Sequence, residues 1–132
     1  MQGTIVGACG RAAAVRAGAP RMLSTGAYDI RDAMDDVKAG RAQLVDCREP
    51  HEWAAGHLLH AKLAPLSVLQ QGILPDGIEP DEKKIYLYCA AGVRVHHAAP
   101  LMRGLGCAGV VPLQEGFNSL LKLGMPLDQS GQ

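Results

Sequence analysis

Apolar and polar positions along the chain follow two different periods. Ile30, Met34 and Val37 recur at helical spacing, whereas residues 84–88 alternate and are rich in residues that favour strands. These two patterns predict a helix over residues 30–38 and a strand over residues 84–88. The strand is the most clearly marked one in the chain.

Helices and short apolar strands alternate over the rest of the chain. The same patterns predict strands over residues 42–46, within 58–64 and over 108–113, and helices over 51–55, 66–70, 95–105 and 117–123. Pro100 lies inside one of these helices, and we expect it to kink or shorten that helix. Such alternation is typical of an α/β domain with a mostly parallel sheet.

Length and charge exclude several classes of protein. The chain has 132 residues, enough for one domain with one core. Its 13 Lys and Arg residues balance 13 Asp and Glu residues, which argues against nucleic acid as the main partner. No apolar run approaches the ~20 residues that span a bilayer, so we expect no membrane association through such a segment.

The cysteines show neither zinc-binding nor thioredoxin-like spacing. They stand at Cys9, Cys47, Cys89 and Cys107, and no two are separated by just two residues. The chain is also larger and more apolar than disulfide-stapled small domains. We therefore expect reduced thiols, no metal and no organic cofactor.

The N-terminal segment differs in composition from the rest. It contains no Asp or Glu before Asp29, and Arg residues recur among Ala and Gly. Such composition is typical of organelle transit peptides, and Arg21-Met22-Leu23-Ser24 resembles a mitochondrial processing site. We interpret residues 1–25 as a transit peptide for a mitochondrion or plastid, or else as a disordered tail of a cytoplasmic protein. The folded domain would then cover residues 26–130.

Cys89 follows the predicted strand at 84–88 and precedes the predicted helix at 95–105. Ligands of open α/β sheets bind at the C-terminal ends of strands, and the first amides of a helix can bind an anion. The small residues Ala90, Ala91 and Gly92 allow the backbone to curl around a small ligand, and Arg94 adds positive charge. A thiol in this setting has a lowered pKa and is a candidate nucleophile. The alternative is a buried cysteine that only fills space.

Several segments of the chain together resemble rhodanese domains. The resemblance spans nearly all of residues 30–127. Its motifs are Leu44-Val45-Asp46-Cys47-Arg48-Glu49-Pro50 with Glu52-Trp53, Ala55-Gly56-His57-Leu58 with Ala61, Tyr88-Cys89-Ala90-Ala91-Gly92-Val93-Arg94, and Gly116-Phe117 before Leu123-Gly124-Met125-Pro126-Leu127. Their order and spacing carry the specificity. The resemblance implies an α/β, rhodanese-like fold with a central, mostly parallel five-stranded sheet flanked by helices.

The resemblance also implies a mechanism and a site. Cys89 would carry sulfur as a persulfide, taken from thiosulfate or a small persulfide and passed to cyanide or to a thiol such as glutathione or thioredoxin. The amides of residues 90–93 (Ala90, Ala91, Gly92 and Val93) and the side chain of Arg94 would bind the anionic donor. Asp46 and Arg48 would support the loop or contact substrate. An alternative is a sulfur carrier or regulatory module that acts with a partner protein.

Other residues in the motifs leave choices open. Glu52 is expected to pair with a cation such as Arg48, and His57 to form structural hydrogen bonds rather than act as a base. Cys47 is either a packed thiol or a resolving thiol that accepts the sulfur. Phosphatases and arsenate reductases of the same fold have five residues between Cys and Arg, whereas four separate Cys89 from Arg94. This shorter loop argues against phosphatase action.

Overall fold

The computed structural model of the protein describes residues 28–80 and 84–129. Their elements in chain order are α1 (Ile30–Lys38), β1 (Ala42–Asp46), α2 (Pro50–Ala55), β2 (Ala61–Leu63), α3 (Leu66–Leu69), β3 (Lys84–Tyr88), α4 (Val95–Gly104), β4 (Val110–Pro112) and α5 (Phe117–Lys122). The α/β class and the predicted bounds of α1, β1 and β3 are confirmed. Helix α4 continues through Pro100, which costs it one backbone hydrogen bond without ending it.

The four strands of these residues form one sheet in the order β2-β1-β3-β4. Every pairing between them is parallel. Strands β1 and β3 lie at the centre and are buried along almost their whole length, as strands covered on both faces should be. Their carboxyl ends therefore meet at one edge of the sheet, inside the protein.

The prediction of five strands is wrong for the described residues. Where a further strand would pair, Leu58 and Leu127 form a single antiparallel bridge. The amide of Leu59 donates to the carbonyl of Pro126 at 2.9 Å, and the amide of Asp128 donates to the carbonyl of His57 at 2.8 Å. Because proline has no N–H, the pairing cannot continue through Pro126.

The chain divides into two compact units between Asp32 and Ala33. In the first, residues 28–32 are described, and the Asp29 carboxylate accepts the amides of Arg31 and Asp32 at 2.9 and 3.3 Å, as a helix N-cap does. The second unit contains the sheet. The predicted transit peptide lies outside the described residues, and the boundary at residues 25 and 26 stays a prediction.

An aliphatic core surrounds the central strands. It is built from the inward residues of β1 and β3 and the buried face of α4, including Val45, Ile85, Leu87, Val95, Ala98 and Met102. No helix in the described ranges is both long and apolar enough to cross a membrane. Two cysteines at the ends of the central strands, Cys47 and Cys89, belong to the same core cluster.

Candidate active site

Strands β1 and β3 end side by side, and a cysteine follows each of them. In the parallel register Asp46 is paired with Tyr88, and the amide of Cys47 donates to the carbonyl of Tyr88 at 2.9 Å. This hydrogen bond places Cys47 opposite Cys89. Because side chains alternate along strands, both cysteines lie on the same face of the sheet, two residues beyond the core residues of their strands.

After Cys89 the chain curls back so that its own amides face the sulfur. The amide of Gly92 lies 3.2 Å from Cys89 Sγ, and those of Ala91 and Val95 also form hydrogen bonds to it. The largest effect on the Cys89 pKa is a side-chain hydrogen bond with Cys47; together with the amides it outweighs burial and lowers the pKa well below that of an ordinary thiol. The sulfur is therefore held as a thiolate, the nucleophilic form.

Two glycines let the loop adopt this shape. Gly92 has φ of +80°, and a Cβ there would lie 2.5 Å from the carbonyl oxygen of Gln114. A Cβ on Gly116 would overlap the carbonyl oxygen of Ala90, while the amide of Phe117 donates to the carbonyl of Cys89 at 2.9 Å. The segment between β4 and α5 therefore packs directly against the loop and fixes it.

Asp46 and Arg48 form a buried network beside the loop. Arg48 donates to the Asp46 carboxylate through its backbone amide and its guanidinium at 2.9–3.1 Å. The hydroxyl of Tyr88 donates to the same carboxylate at 2.8 Å. Since Tyr88 precedes Cys89, this network holds the strand end that carries Cys89. The geometry favours the supporting role for both residues over substrate contact.

Arg48 also connects the end of β1 to two helices. Its guanidinium donates to the carbonyl of Gly56 at 2.8 Å and lies 4.2 Å from the ring centroid of Phe117. The side chain is 6% exposed, so all of these contacts are shielded from water. The guanidinium thus fixes the start of α5 and the end of α2 relative to the candidate site.

Glu52 pairs with a cation, as expected, and that cation is Arg94, whereas Arg48 pairs with Asp46. The two guanidinium nitrogens of Arg94 lie 2.7 and 2.9 Å from the carboxylate oxygens. Arg48 is already paired with Asp46, which lies two residues before it at the end of β1. The hydrogen bond with Arg94 is the largest cause that lowers the pKa of Glu52, to about 2. Arg94 therefore carries its own counter-ion.

His57 makes structural contacts. Its ring is stacked on that of Trp53 at 3.6 Å, and its two nitrogens lie 3.0 Å from the Trp53 carbonyl and 2.8 Å from the Asp128 carboxylate. Both ring nitrogens form hydrogen bonds, which agrees with the expectation of structural hydrogen bonds by His57. Within residues 28–80 and 84–129, no cluster of three His, Cys, Asp or Glu side chains could hold a metal ion.

The structure brings most of the predicted site residues together. Cys89 is buried and Arg94 is half-buried, whereas Ala90, Ala91 and Val93 are exposed on the outside of the loop. The predicted amide set missed Val95, whose place as the first residue of α4 was its only signal. Gly116 was seen as part of a motif, but its contact with the loop could not be read from the sequence.

The model of the rhodanese-like domain matches residues 28–123. The chain belongs to the rhodanese family. YqhL of Bacillus subtilis, an uncharacterized protein, is 42% identical over 85 residues, which cover 63% of this chain and 65% of YqhL. The probable adenylyltransferase/sulfurtransferase MoeZ of Mycobacterium tuberculosis is 31% identical over 100 residues, 74% of this chain but 24% of MoeZ. The chain thus spans less than two thirds of either relative.

Solved structures confirm the rhodanese fold. The human single-domain sulfurtransferase TSTD1 superposes with a TM-score of 0.62 at 23% identity, over 75% of this chain and 97% of that one. A rhodanese-related protein of Thermoplasma volcanium gives a TM-score of 0.58 at 27% identity, over 74% and 92%. The family resemblance predicted from the sequence motifs is therefore confirmed, and the family includes sulfurtransferases.

Proposed function

We propose that this rhodanese protein is a sulfurtransferase in which Cys89 carries a sulfur atom as a persulfide. The observation that supports this most is the convergence of hydrogen bonds on Cys89 Sγ, from backbone amides and from the side chain of Cys47. These donors favour a negatively charged sulfur in a water-excluded position. Thiosulfate or a small persulfide is the proposed donor.

The transfer divides into two displacements at sulfur. The Cys89 thiolate attacks the outer sulfur of thiosulfate, the S–S bond breaks, and sulfite leaves with the bonding electron pair. An acceptor then attacks the outer sulfur of the Cys89 persulfide and returns Cys89 to its thiolate form. A thiol acceptor such as glutathione or thioredoxin becomes a persulfide, and cyanide becomes thiocyanate. In both steps the loop amides stabilise the charge on sulfur.

Arg94 is the proposed contact for the anionic end of the donor. Its side chain is 31% exposed and lies beside the loop, where it can reach a ligand above Cys89. A donor anion must compete with Glu52, which occupies two of the guanidinium nitrogens. We therefore propose that the Arg94–Glu52 pair tunes the affinity for anionic donors.

A sulfur carrier that serves a partner protein is the second candidate. It draws support from the match to MoeZ, where a similar segment forms 24% of a longer chain. A carrier would accept sulfur yet turn over slowly with thiosulfate and cyanide, whereas an enzyme for small donors would turn over rapidly. Steady-state thiocyanate production separates the two.

The test of persulfide formation is the intact mass of the protein after brief thiosulfate treatment. We expect the wild type and a Cys107→Ala control to give an adduct of one sulfur atom and Cys89→Ser to give none. Adding cyanide should remove the adduct and yield thiocyanate. An adduct on Cys89→Ser, or adducts that map to Cys107 or Cys47, would contradict the assignment of Cys89 as the carrier.

A further inference from the structure

A second thiol, which the proposed transfer does not use, lies opposite Cys89. The side chains of Cys47 and Cys89 are joined by a hydrogen bond, and the amide of Cys47 donates to the carbonyl of the residue before Cys89. Cα atoms on neighbouring strands are about 4.8 Å apart, and disulfides need Cα atoms about 4.4–6.8 Å apart. Both side chains also lie on one face of the sheet. The pair therefore meets the main geometric requirements of a disulfide.

We propose that Cys47 is a resolving thiol that attacks the Cys89 persulfide from inside the protein and releases sulfide. This inference rests on the proposed function, because it needs sulfur on Cys89. The Cys47 sulfur bonds to the inner sulfur of the persulfide, and the bond between inner and outer sulfur breaks. The outer sulfur leaves with the electron pair and takes up the Cys47 proton. The sulfane sulfur is reduced to sulfide, and the two cysteines are oxidised to a disulfide.

Two thiols could attack the persulfide, that of Cys47 and that of an external acceptor, and burial gives them different routes of attack. Cys47 is 0% exposed and Cys89 is 1% exposed, whereas Val93, in the same loop, is 64% exposed. An acceptor from solvent approaches over the loop and meets the outer sulfur, which is the route of ordinary transfer. Cys47 is already in contact with the inner sulfur. The position of the attacking thiol therefore decides whether sulfur is passed on or released as sulfide.

Loading also activates Cys47. The pKa of Cys47 is raised strongly, first by its hydrogen bond to Cys89, then by burial, and then by the negative charge of Cys89. When Cys89 becomes a persulfide, the charge moves one sulfur outward and two of these causes weaken. Cys47 is thus kept protonated and unreactive in the empty protein and becomes more acidic once sulfur has been loaded.

A dithiol closes the cycle. The Cys47–Cys89 disulfide is reduced by an external dithiol through a mixed disulfide, which returns both cysteines to their thiol forms. The net reaction converts one sulfane sulfur and one dithiol into one sulfide and one disulfide. In the absence of a dithiol the protein performs a single turnover and then stops, a behaviour that direct transfer to an external thiol does not produce.

The test follows the fate of loaded sulfur when no acceptor is present. Wild type, Cys47→Ala and the buried-cysteine control Cys107→Ala are treated with thiosulfate or with inorganic polysulfide, desalted and incubated anaerobically. Released sulfide is assayed, and intact mass and peptide maps are recorded without reductant. We expect wild type and Cys107→Ala to release one sulfide per Cys47–Cys89 disulfide. The persulfide of Cys47→Ala should last at least about tenfold longer, because the attacking thiol is no longer held beside it.

Each contrary outcome has its own meaning. Equal persulfide lifetimes in wild type and Cys47→Ala, or sulfide without a Cys47–Cys89 peptide, would overturn the resolving role and leave the proposed function intact. Failure of the wild type and of Cys107→Ala to take sulfur onto Cys89 from either reagent would remove the proposed function itself. If Cys47→Ala does not fold or takes up no sulfur, Cys47→Ser, which is close to cysteine in size and keeps a hydroxyl that can donate to Cys89, gives the same comparison.

Discussion

The segments that directly follow β1 (residues 47–48, the β1 exit) and β3 (residues 89–94, the β3 exit) contain the same two kinds of residue in opposite environments. Each has a cysteine directly after the strand and an arginine further on, Cys47 and Arg48 in one, Cys89 and Arg94 in the other. At the β1 exit the thiol is kept protonated, with its pKa raised. At the β3 exit the thiol pKa is lowered, because a hydrogen bond from Cys47 and three backbone amides reach it.

The two arginines also lie in opposite environments, one buried and the other partly exposed. Arg48 is buried and held by a carboxylate two residues before it, so its charge is satisfied within the exit itself. Arg94 is partly exposed and held by a carboxylate from α2, and under the proposed function a donor anion would replace that partner. Side-chain type alone therefore does not make a site. The path of the backbone after the strand decides at which exit the thiol pKa is raised and at which it is lowered.

The largest effect is expected from breaking the support at the β1 exit. Asp46→Asn leaves Arg48 buried without a charged partner and should lower the free energy of unfolding by about 3–5 kcal/mol, the usual cost of breaking a buried ion pair. Denaturant unfolding of the two proteins measures it.

The matched control is another aspartate paired with an arginine. Asp36 and Arg41 form a bond of 2.9 Å, but their side chains are 36% and 64% exposed. Asp36→Asn should change the free energy of unfolding by at most about 1 kcal/mol. Similar costs for the two substitutions would show that the β1 exit is not the rigid partner in this comparison.

A smaller effect on stability, with a large effect on chemistry, is expected at the β3 exit. Gly92 and Gly72 share φ of +80°, but only Gly92 has a backbone carbonyl where a Cβ would stand. Gly72→Ala should cost about 1–2 kcal/mol through its backbone conformation alone. Gly92→Ala should cost more and displace the amide from Cys89.

Alkylation by iodoacetamide reports the chemical part of that prediction. In wild type and Gly72→Ala, the rate at Cys89 should be nearly constant from about pH 6 to 8, since the thiol is already ionised. In Gly92→Ala the pKa should be higher, so the rate should begin to fall at a higher pH than in wild type as the pH is lowered below about 6. Coincident profiles for the two proteins would show that the amide is dispensable.

The smallest effect on stability is expected for Glu52→Gln. The pair with Arg94 is partly solvated, so the cost near neutral pH should be below about 1 kcal/mol. The folded-state pKa of Glu52, about 2, lies below its ordinary value of 4.5. Its contribution is therefore complete above pH 4.5 and is lost as pH falls towards 2, and the difference between wild type and Glu52→Gln should shrink over that window. Unfolding curves recorded across it measure the change.

The same variant sharpens the view of Arg94 as the exchangeable cation. In the wild type the amide of Glu49 donates to the Glu52 carboxylate at 2.9 Å. The side-chain oxygen of glutamine can accept the same hydrogen bond, so α2 should be preserved. Without the carboxylate, Arg94 should bind thiosulfate better and lower its KM several-fold. An unchanged KM would show that the donor does not meet Arg94.

Local patterns in the sequence were enough for most of the fold, and together with the family motifs they gave the candidate nucleophile. β1 could be bounded because it is a short buried strand that ends in a polar segment, and β3 because its residues alternate and favour strands. Cys89 is a candidate nucleophile because of the strand, loop and helix around it and because its loop matches the rhodanese motif. The partner of Glu52 could not be predicted, because Arg48 and Arg94 are both accessible to a flexible side chain. The contact of Gly116 with Ala90 joins segments 26 positions apart, and no periodicity reports it.

Residues that follow the family match still belong to the folding unit. The match stops at residue 123, yet Met125 is buried, Leu127 forms the bridge to Leu58, and Asp128 binds His57 through its backbone and its side chain. Leu58 itself is completely buried. A fragment trimmed at residue 123 would uncover that leucine and release the histidine stacked on Trp53. The family match therefore marks a shorter segment than the one that must be kept for α2 to hold Glu52 against Arg94.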